Sequence, residues 1–142
     1  MKFFATLLAL PAVVLAVSTT LSWDNVYDNA NGDLATVACS DGANGLIPRG
    51  FSTFGDLPNF PNIGGIPDIK GWNSTSCGTC WNVTYVNGQG VSKTIKVLGI
   101  DVGGGGFNVA KAAMNTLTNN QANQLGRVNV NAVKIAASSC GL

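Results

Sequence analysis

The sequence contains no histidine and no glutamate, and charged side chains make up only 11% of its 142 residues. Without histidine there is no imidazole base for a serine or cysteine nucleophile, so a Ser-His-Asp triad is excluded. Carboxylate chemistry rests on seven aspartates. Of the eight basic residues, Lys2 belongs to the leader described below; removing it leaves seven against seven aspartates, a net charge of zero. Nucleic acid and anionic membranes require a basic excess for counterion release or surface attraction, so neither is expected as a partner. Beyond residue 18 no apolar run is long enough to span a bilayer. In place of charge the chain carries asparagine and 18 glycines.

Lys2 precedes an apolar run from Phe3 to Val17, broken only by Thr6 and Pro11. The run is short for a membrane span, and the small residues Ala16 and Ser18 stand where a cleavage site requires them. These features predict a signal peptide over 1–18, cleaved after Ala16 or Ser18, export from the cell, and one domain over 19–142.

Export to an oxidising compartment makes four cysteines, Cys39, Cys77, Cys80 and Cys140, read as a disulfide framework. The spacing Cys77-Gly78-Thr79-Cys80 also fits a redox centre or half a zinc site. A redox CxxC opens a helix in an α/β pattern, whereas WNVTYV follows here, an aromatic and β-branched run that predicts a strand. Zinc would need histidine or a second close-spaced cysteine pair, so no metal is expected, and no cofactor. Two structural disulfides remain, with Cys77 and Cys80 going to different distant partners. Either loop is worth roughly 3 to 4 kcal/mol by chain entropy.

The chain reads as β-dominated α+β. Strands are predicted over Leu34–Cys39, Cys80–Val86, Ser92–Gly99 and Val128–Ala136, with an Asn87-Gly88 turn between the second and third. From Asn108 to Leu125, Val109, Ala113, Leu117 and Ala122 or Leu125 recur at helical spacing, with Asn108 as N-cap and Gly126 as stop. Gly42 to Trp72 is apolar without period, which predicts a long connection across the core that also offers an aromatic wall. Trp72 and Trp81 are expected to pack against the barrel, and Trp23 and Tyr27 to offer faces for sugar rings.

The strings ACSDGANGL, NFPNIGGIPDIKGW, SCGTCWNVTY, GIDVGGGGFNV and a C-terminal SSC stand in the order and spacing of the cerato-platanins, small secreted fungal proteins. The chain resembles that family from Val17 to Cys140. The resemblance implies a six-stranded double-ψ β-barrel with short helices and the disulfides Cys39–Cys77 and Cys80–Cys140. It further implies a protein of the fungal cell wall or apoplast that binds N-acetylglucosamine oligomers, chitin or another wall polysaccharide. Expansin-like loosening without hydrolysis and elicitation of plant defence are implied as well. The matching groove positions are Tyr27, Asp101, Gly105, Gly106 and Asn108. Val102 and Gly104 depart from the family, which often carries Ser and Arg there; losing an Arg removes up to five fork-like donors.

On its own terms Asp101 is the leading carboxylate, because it follows the apolar strand KVLGI and precedes the run Gly103 to Gly106. A strand would fix it and a loop without side chains would expose it. A glycosidase needs two carboxyl groups flanking the bond. Asp24, Asp28 and Asp33 sit among Asn and Gly, and Asp41, Asp56 and Asp68 in turn contexts, so none is an evident partner. Binding is therefore expected over cleavage, and a weak hydrolase using Asp101 is the alternative. A second alternative is a surface-active protein that self-assembles like a hydrophobin through exposed residues around Phe51 to Phe60. The sequons at Asn73 and Asn82 are candidate N-glycan acceptors, Asn82 facing outward from its strand.

Overall fold

The computed structural model describes residues 8–11 and 15–142. The expected signal peptide lies mostly outside the described residues; within it Leu8, Leu10 and Leu15 are exposed and belong to no strand or helix. Among the described residues no helix is long and apolar enough to cross a membrane.

Six strands form the fold: β1 (Val17–Trp23), β2 (Ile63–Ile66), β3 (Cys80–Val86), β4 (Ser92–Val102), β5 (Phe107–Val109) and β6 (Arg127–Ile135). They close a barrel in the order β1-β5-β2-β4-β3-β6. The pairs β1–β5 and β2–β4 are parallel and the other four antiparallel, in keeping with the double-ψ barrel the resemblance implied. Two helices, α1 (Lys111–Thr118) and α2 (Ala122–Leu125), and several 3₁₀ turns pack outside.

Alternation builds the barrel wall. On β6, Val128, Val130 and Ala132 are buried while Arg127, Asn129 and Asn131 are exposed, the period of two that a half-buried strand demands. The β3–β4 hairpin is held by the Asn87 amide oxygen, which accepts from the N–H groups of Gln89 and Val91, both at 2.9 Å. β2 is Ile63-Gly64-Gly65-Ile66 because neighbouring backbones cross it closely. A Cβ on Gly64 would lie 2.7 Å from Val109 Cα, and one on Gly65 2.8 Å from the Val102 carbonyl carbon.

Both disulfides form as the resemblance implied, Cys39–Cys77 and Cys80–Cys140, and no described cysteine is free. Redox and zinc readings of the CxxC thus lose their thiols. Trp81 is buried and sits edge-on to Phe107, with ring centroids 5.9 Å apart. Trp72 does not pack as expected: it is 62% exposed, and its indole N–H donates to Asp41 at 2.7 Å.

Leu34–Cys39 is not a strand. Asp33 caps a 3₁₀ turn over Leu34–Thr36, accepting from Ala35 N at 2.8 Å, so a local side-chain bond outcompetes sheet pairing. The helix expected over Asn108 to Leu125 is two helices preceded by a strand. Asn108 lies in β5 and does not cap α1; Asn119 and Asn120, at φ 56° and 64°, break the helical run before α2, which stops at Gly126. Asp28 caps α1 from a distance, its carboxylate accepting from Lys111 N at 2.8 Å and Ala112 N at 2.9 Å.

The Gly42 to Trp72 connection covers the core as expected, with Leu46, Phe54, Leu57 and Ile69 buried, but it is not irregular throughout, since Ile63–Ile66 within it is barrel strand β2. Phe51 and Phe60 are partly buried against that core. This corrects the expectation of exposed apolar residues around Phe51 to Phe60, where Phe54 and Leu57 are buried and Phe51 and Phe60 partly so.

Candidate functional site

β4 delivers Asp101 one residue before its end, between buried Ile100 and exposed Val102. Its carboxylate accepts three hydrogen bonds: from the Tyr27 hydroxyl at 2.9 Å, from Ala38 N at 3.1 Å and from Val102 N at 2.8 Å. Asp101 therefore ties the Asn25–Asp28 turn and the segment around Ala38 to the barrel. Tyr27 is buried, 6.1 Å from the Phe54 ring, so its face is not offered to a sugar; it acts through its hydroxyl on Asp101. Burial first, then the charge and hydrogen bond of Asp101, raise the Tyr27 phenol pKa well above its ordinary value, and Asp24 adds to the effect.

Strand register assembles a row around Asp101 that sequence order hides. Gly65 on β2 pairs with both Asp101 and Asn108, Asn108 on β5 pairs with Ser22 on β1, and Ser22 pairs with Arg127 on β6. Asp101, Gly65, Asn108, Ser22 and Arg127 thus cross five adjacent strands. At a strand spacing of about 4.8 Å the row follows an arc of about 19 Å round the closed barrel, four of its six inter-strand steps, so its two ends look in different directions. The residues inside it, Ile100, Phe107, Val109, Leu21 and Val128, are buried, so the polar side chains stand on the outer face. Within the row the Ser22 hydroxyl donates to the Asn108 amide oxygen at 3.0 Å, and Arg127 Nη1 donates to Thr20 Oγ1 at 2.8 Å. A shallow concavity of about 550 Å³, lined by Ser18, Thr20, Thr84, Asn129 and Asn131 among others, adjoins the Arg127 end.

The glycine run is half structural. A Cβ on Gly103 would lie 2.5 Å from the Ile66 carbonyl carbon, and one on Gly106 2.7 Å from the Thr20 carbonyl oxygen, whereas Gly104 and Gly105 have open space around them. Of the sequence candidates, then, Asp101 and Asn108 lie in one row, Gly105 is open beside it, Gly106 is buried packing, and Tyr27 stands behind Asp101. Ser22, Gly65 and Arg127 escaped sequence reasoning, because only register brings them together. Trp23 is half-buried, its indole donating to the Ala122 carbonyl at 2.8 Å, with Lys111 Nζ 4.9 Å from the ring.

Five of the other six aspartates are engaged by hydrogen bonds; Asp68 is the exception. Asp24, Asp33 and Asp56 accept backbone N–H groups in their own turns, Asp28 caps α1 and Asp41 holds Trp72. Backbone donors Thr53 and Ser52 lower the Asp56 pKa below its ordinary range. Among the described residues no group of three His, Cys, Asp or Glu side chains is placed to hold a metal ion. The Asn73 amide oxygen accepts from Asn44 N at 2.9 Å, while Asn82 is half-buried on β3 between the inward Trp81 and Val83.

The family profile described as Cerato-platanin matches residues 19–142. The chain belongs to the cerato-platanin family. Cerato-platanin of Ceratocystis fimbriata f. sp. platani is 45% identical over 132 residues, covering 92% of each chain. The Arthroderma benhamiae protein named allergen Asp f 15 homolog is 52% identical over 130 residues; the match covers 92% of this chain but only 62% of that protein's length. Among solved structures, cerato-platanin 2 of M. perniciosa superposes with a TM-score of 0.84 at 50% identity, covering 89% of this chain and 100% of that one. Against the resemblance, this cerato-platanin carries Val102, 41% exposed, and Gly104 at φ 64°, a conformation that costs a side chain roughly 1 kcal/mol or more. Its guanidinium near the row is instead Arg127, brought in from β6.

Proposed function

We propose that this protein is an exported, non-catalytic carbohydrate-binding protein of the fungal wall and apoplast that holds N-acetylglucosamine oligomers along the row from Asp101 to Arg127. The row itself carries this reading. Carboxylate, amide, hydroxyl and guanidinium stand at one register on five adjacent strands, with glycine between Asp101 and Asn108. Sugar hydroxyls and acetamido groups both donate and accept, and these side chains supply fixed partners of both kinds.

Binding is favoured over cleavage by what Asp101 already does. A carboxylate offers about four acceptor sites, and protein donors fill three of them here. About one is left to orient a ligand, and Asp24, Asp28, Asp33, Asp41 and Asp56 are committed elsewhere. Holding a polymer on an open face without cutting it is what wall loosening without hydrolysis requires. The elicitor role follows the family: a relative solved in solution, 46% identical with a TM-score of 0.74 and covering 86% of this chain and 96% of its own, is titled the fungal elicitor cerato-platanin.

Titration of ¹⁵N-labelled protein with the N-acetylglucosamine tetramer tests the reading. Saturable shifts are expected at the amides of Ser22, Val102, Asn108 and Arg127, with the monosaccharide far weaker. Unmoved amides along the row would overturn it. Release of reducing ends that vanishes in Asp101→Asn would replace it with the hydrolase reading.

A further inference from the structure

A second and larger cavity, about 730 Å³, lies where the β3–β4 hairpin faces the junction of α1 and α2. That volume falls in the range of ligand sites, about 300 to 1,000 Å³. Leu117 and Leu125 give it apolar surface, and Tyr85 supplies an aromatic wall. Around them stand four side-chain amides, Asn87, Gln89, Asn119 and Gln121, and a single charge, Lys93. Tyr85 and Lys93 are direct partners across the hairpin, which puts their Cβ atoms about 5 Å apart on one face. The Asn87 amide oxygen is spent on the turn, so its side chain is fixed with the NH₂ left to donate.

We infer that this cavity is a second saccharide site, and that it takes an acidic saccharide, one bearing uronate carboxylates. An aromatic face beside several amides suits a pyranose, which presents an apolar face and a ring of hydroxyls. The charge decides the class. Among the described residues Lys93 is the only ionised side chain lining the cavity, and no aspartate lines it. The C-terminal carbonyls of α1 face this region, but the backbone N–H groups of Asn119 and Asn120 both close on the Asn115 carbonyl, and a full charge on Lys93 outweighs the residual dipole. The Asp101 end of the row has the opposite bias, since its carboxylate repels an acidic polymer, while the row as a whole is balanced by Arg127.

Lys93 and Asp101 are eight residues apart on β4, about 26 Å at 3.3 Å per residue. One rigid strand therefore carries a neutral-sugar face at its C-terminal end and an acidic-sugar cavity at its N-terminal end. The chain becomes a bridge between two kinds of wall polymer, with avidity gained when both sites are engaged. The cavity's assignment stands independently of the reading of the Asp101 row; the bridge rests on that reading.

Trigalacturonate titrated into the ¹⁵N-labelled protein tests it, with the N-acetylglucosamine trimer as neutral control. Trigalacturonate is expected to shift the amides of Gln89, Lys93, Asn119 and Gln121 saturably, to leave Val102 and Asn108 unmoved, and to bind more weakly as salt rises. Lys93→Gln should weaken it about fivefold, the worth of one partly exposed ion pair, and Lys134→Gln, a charge change elsewhere on the surface, should not. Three results would each overturn the proposal: no saturable shift in the cavity, equal weakening by the two lysine variants, or a neutral trimer that binds there as tightly. Because the reporter amides of the two sites do not overlap, failure here is distinguishable from failure of the Asp101 row.

Discussion

Replacing Asp101 with alanine should destabilise the protein by about 3 kcal/mol, far more than the loss of an ordinary surface aspartate. The magnitude follows from its three donors. The Tyr27 hydroxyl is buried and would lose its only described partner, which costs about 1 to 3 kcal/mol. The part-buried Ala38 N–H loses its acceptor too, at about 1 kcal/mol. Val102 N is exposed and water replaces the carboxylate there at little cost. Asp101→Asn keeps an acceptor for Ala38 and can donate to the Tyr27 oxygen, so about 1 kcal/mol is expected. Tyr27→Phe leaves a half-exposed carboxylate to water and should also cost about 1 kcal/mol. In the double variant Tyr27→Phe with Asp101→Ala no orphaned hydroxyl remains, so the two losses should fall short of their sum by 1 to 2 kcal/mol, roughly. Urea unfolding followed by far-ultraviolet circular dichroism, with disulfides intact, reads all four proteins against a stability on the order of 5 to 15 kcal/mol. A loss under about 1 kcal/mol for Asp101→Ala, or strict additivity in the cycle, would refute Asp101 as a tie.

The Tyr27 phenol keeps its proton in the folded state above the ordinary value of 10.0, so its contribution is fully present below pH 10 and is lost as pH rises beyond it. Stability should fall above pH 10 by up to about 1.4 kcal/mol per pH unit from this group, and Tyr27→Phe should flatten that slope in urea unfolding at several pH values. Asp28→Ala removes both backbone bonds at the start of α1; about 1 to 2 kcal/mol of stability and the hydrogen-exchange protection of α1 should go with them. Opening Cys80–Cys140 as a double serine variant should cost about 4 kcal/mol, slightly more than opening Cys39–Cys77, because its loop spans 60 residues rather than 38. Since Val17 and Ser18 pair with Ala132 and Asn131, cleavage after Ala16 keeps β1 whole; mass spectrometry of the exported protein should find Val17 at its N-terminus.

Legibility in the sequence tracked how local the cause was. β3, β4 and β6 were readable because each is long and rich in β-branched or apolar residues, and Asn87-Gly88 announced the hairpin between the first two. β5 spans three residues and β2 four, two of them glycine, and neither holds a period that can be counted. β1 was concealed because its first residue ends the apolar run of the expected leader. Leu34–Cys39 misled because its apolar and β-branched content suggests a strand, while Asp33, one residue upstream, caps a turn. Asp28 lies 83 residues from the helix it caps, so no window along the chain could pair them. Asp101 was legible as a carboxylate between a strand and a glycine loop, yet its partners Tyr27 and Ala38 and its row mates Ser22 and Arg127 arrive through tertiary register alone.

Closure of the barrel by β1 against β6 has a consequence in time. The first strand of the domain finds one of its two partners in the last, so the ring cannot close until nearly the whole chain has emerged. The Cys80–Cys140 bridge obeys the same limit, since its second sulfur arrives later still. Contacts of such sequence separation make folding slow relative to helical proteins of this size. Export in an extended form, as the expected signal peptide implies, with maturation on the far side of the membrane, would suit a barrel built this way. A chain stalled or truncated before Arg127 would hold an open sheet with two unpaired edges, a species prone to associate rather than to mature.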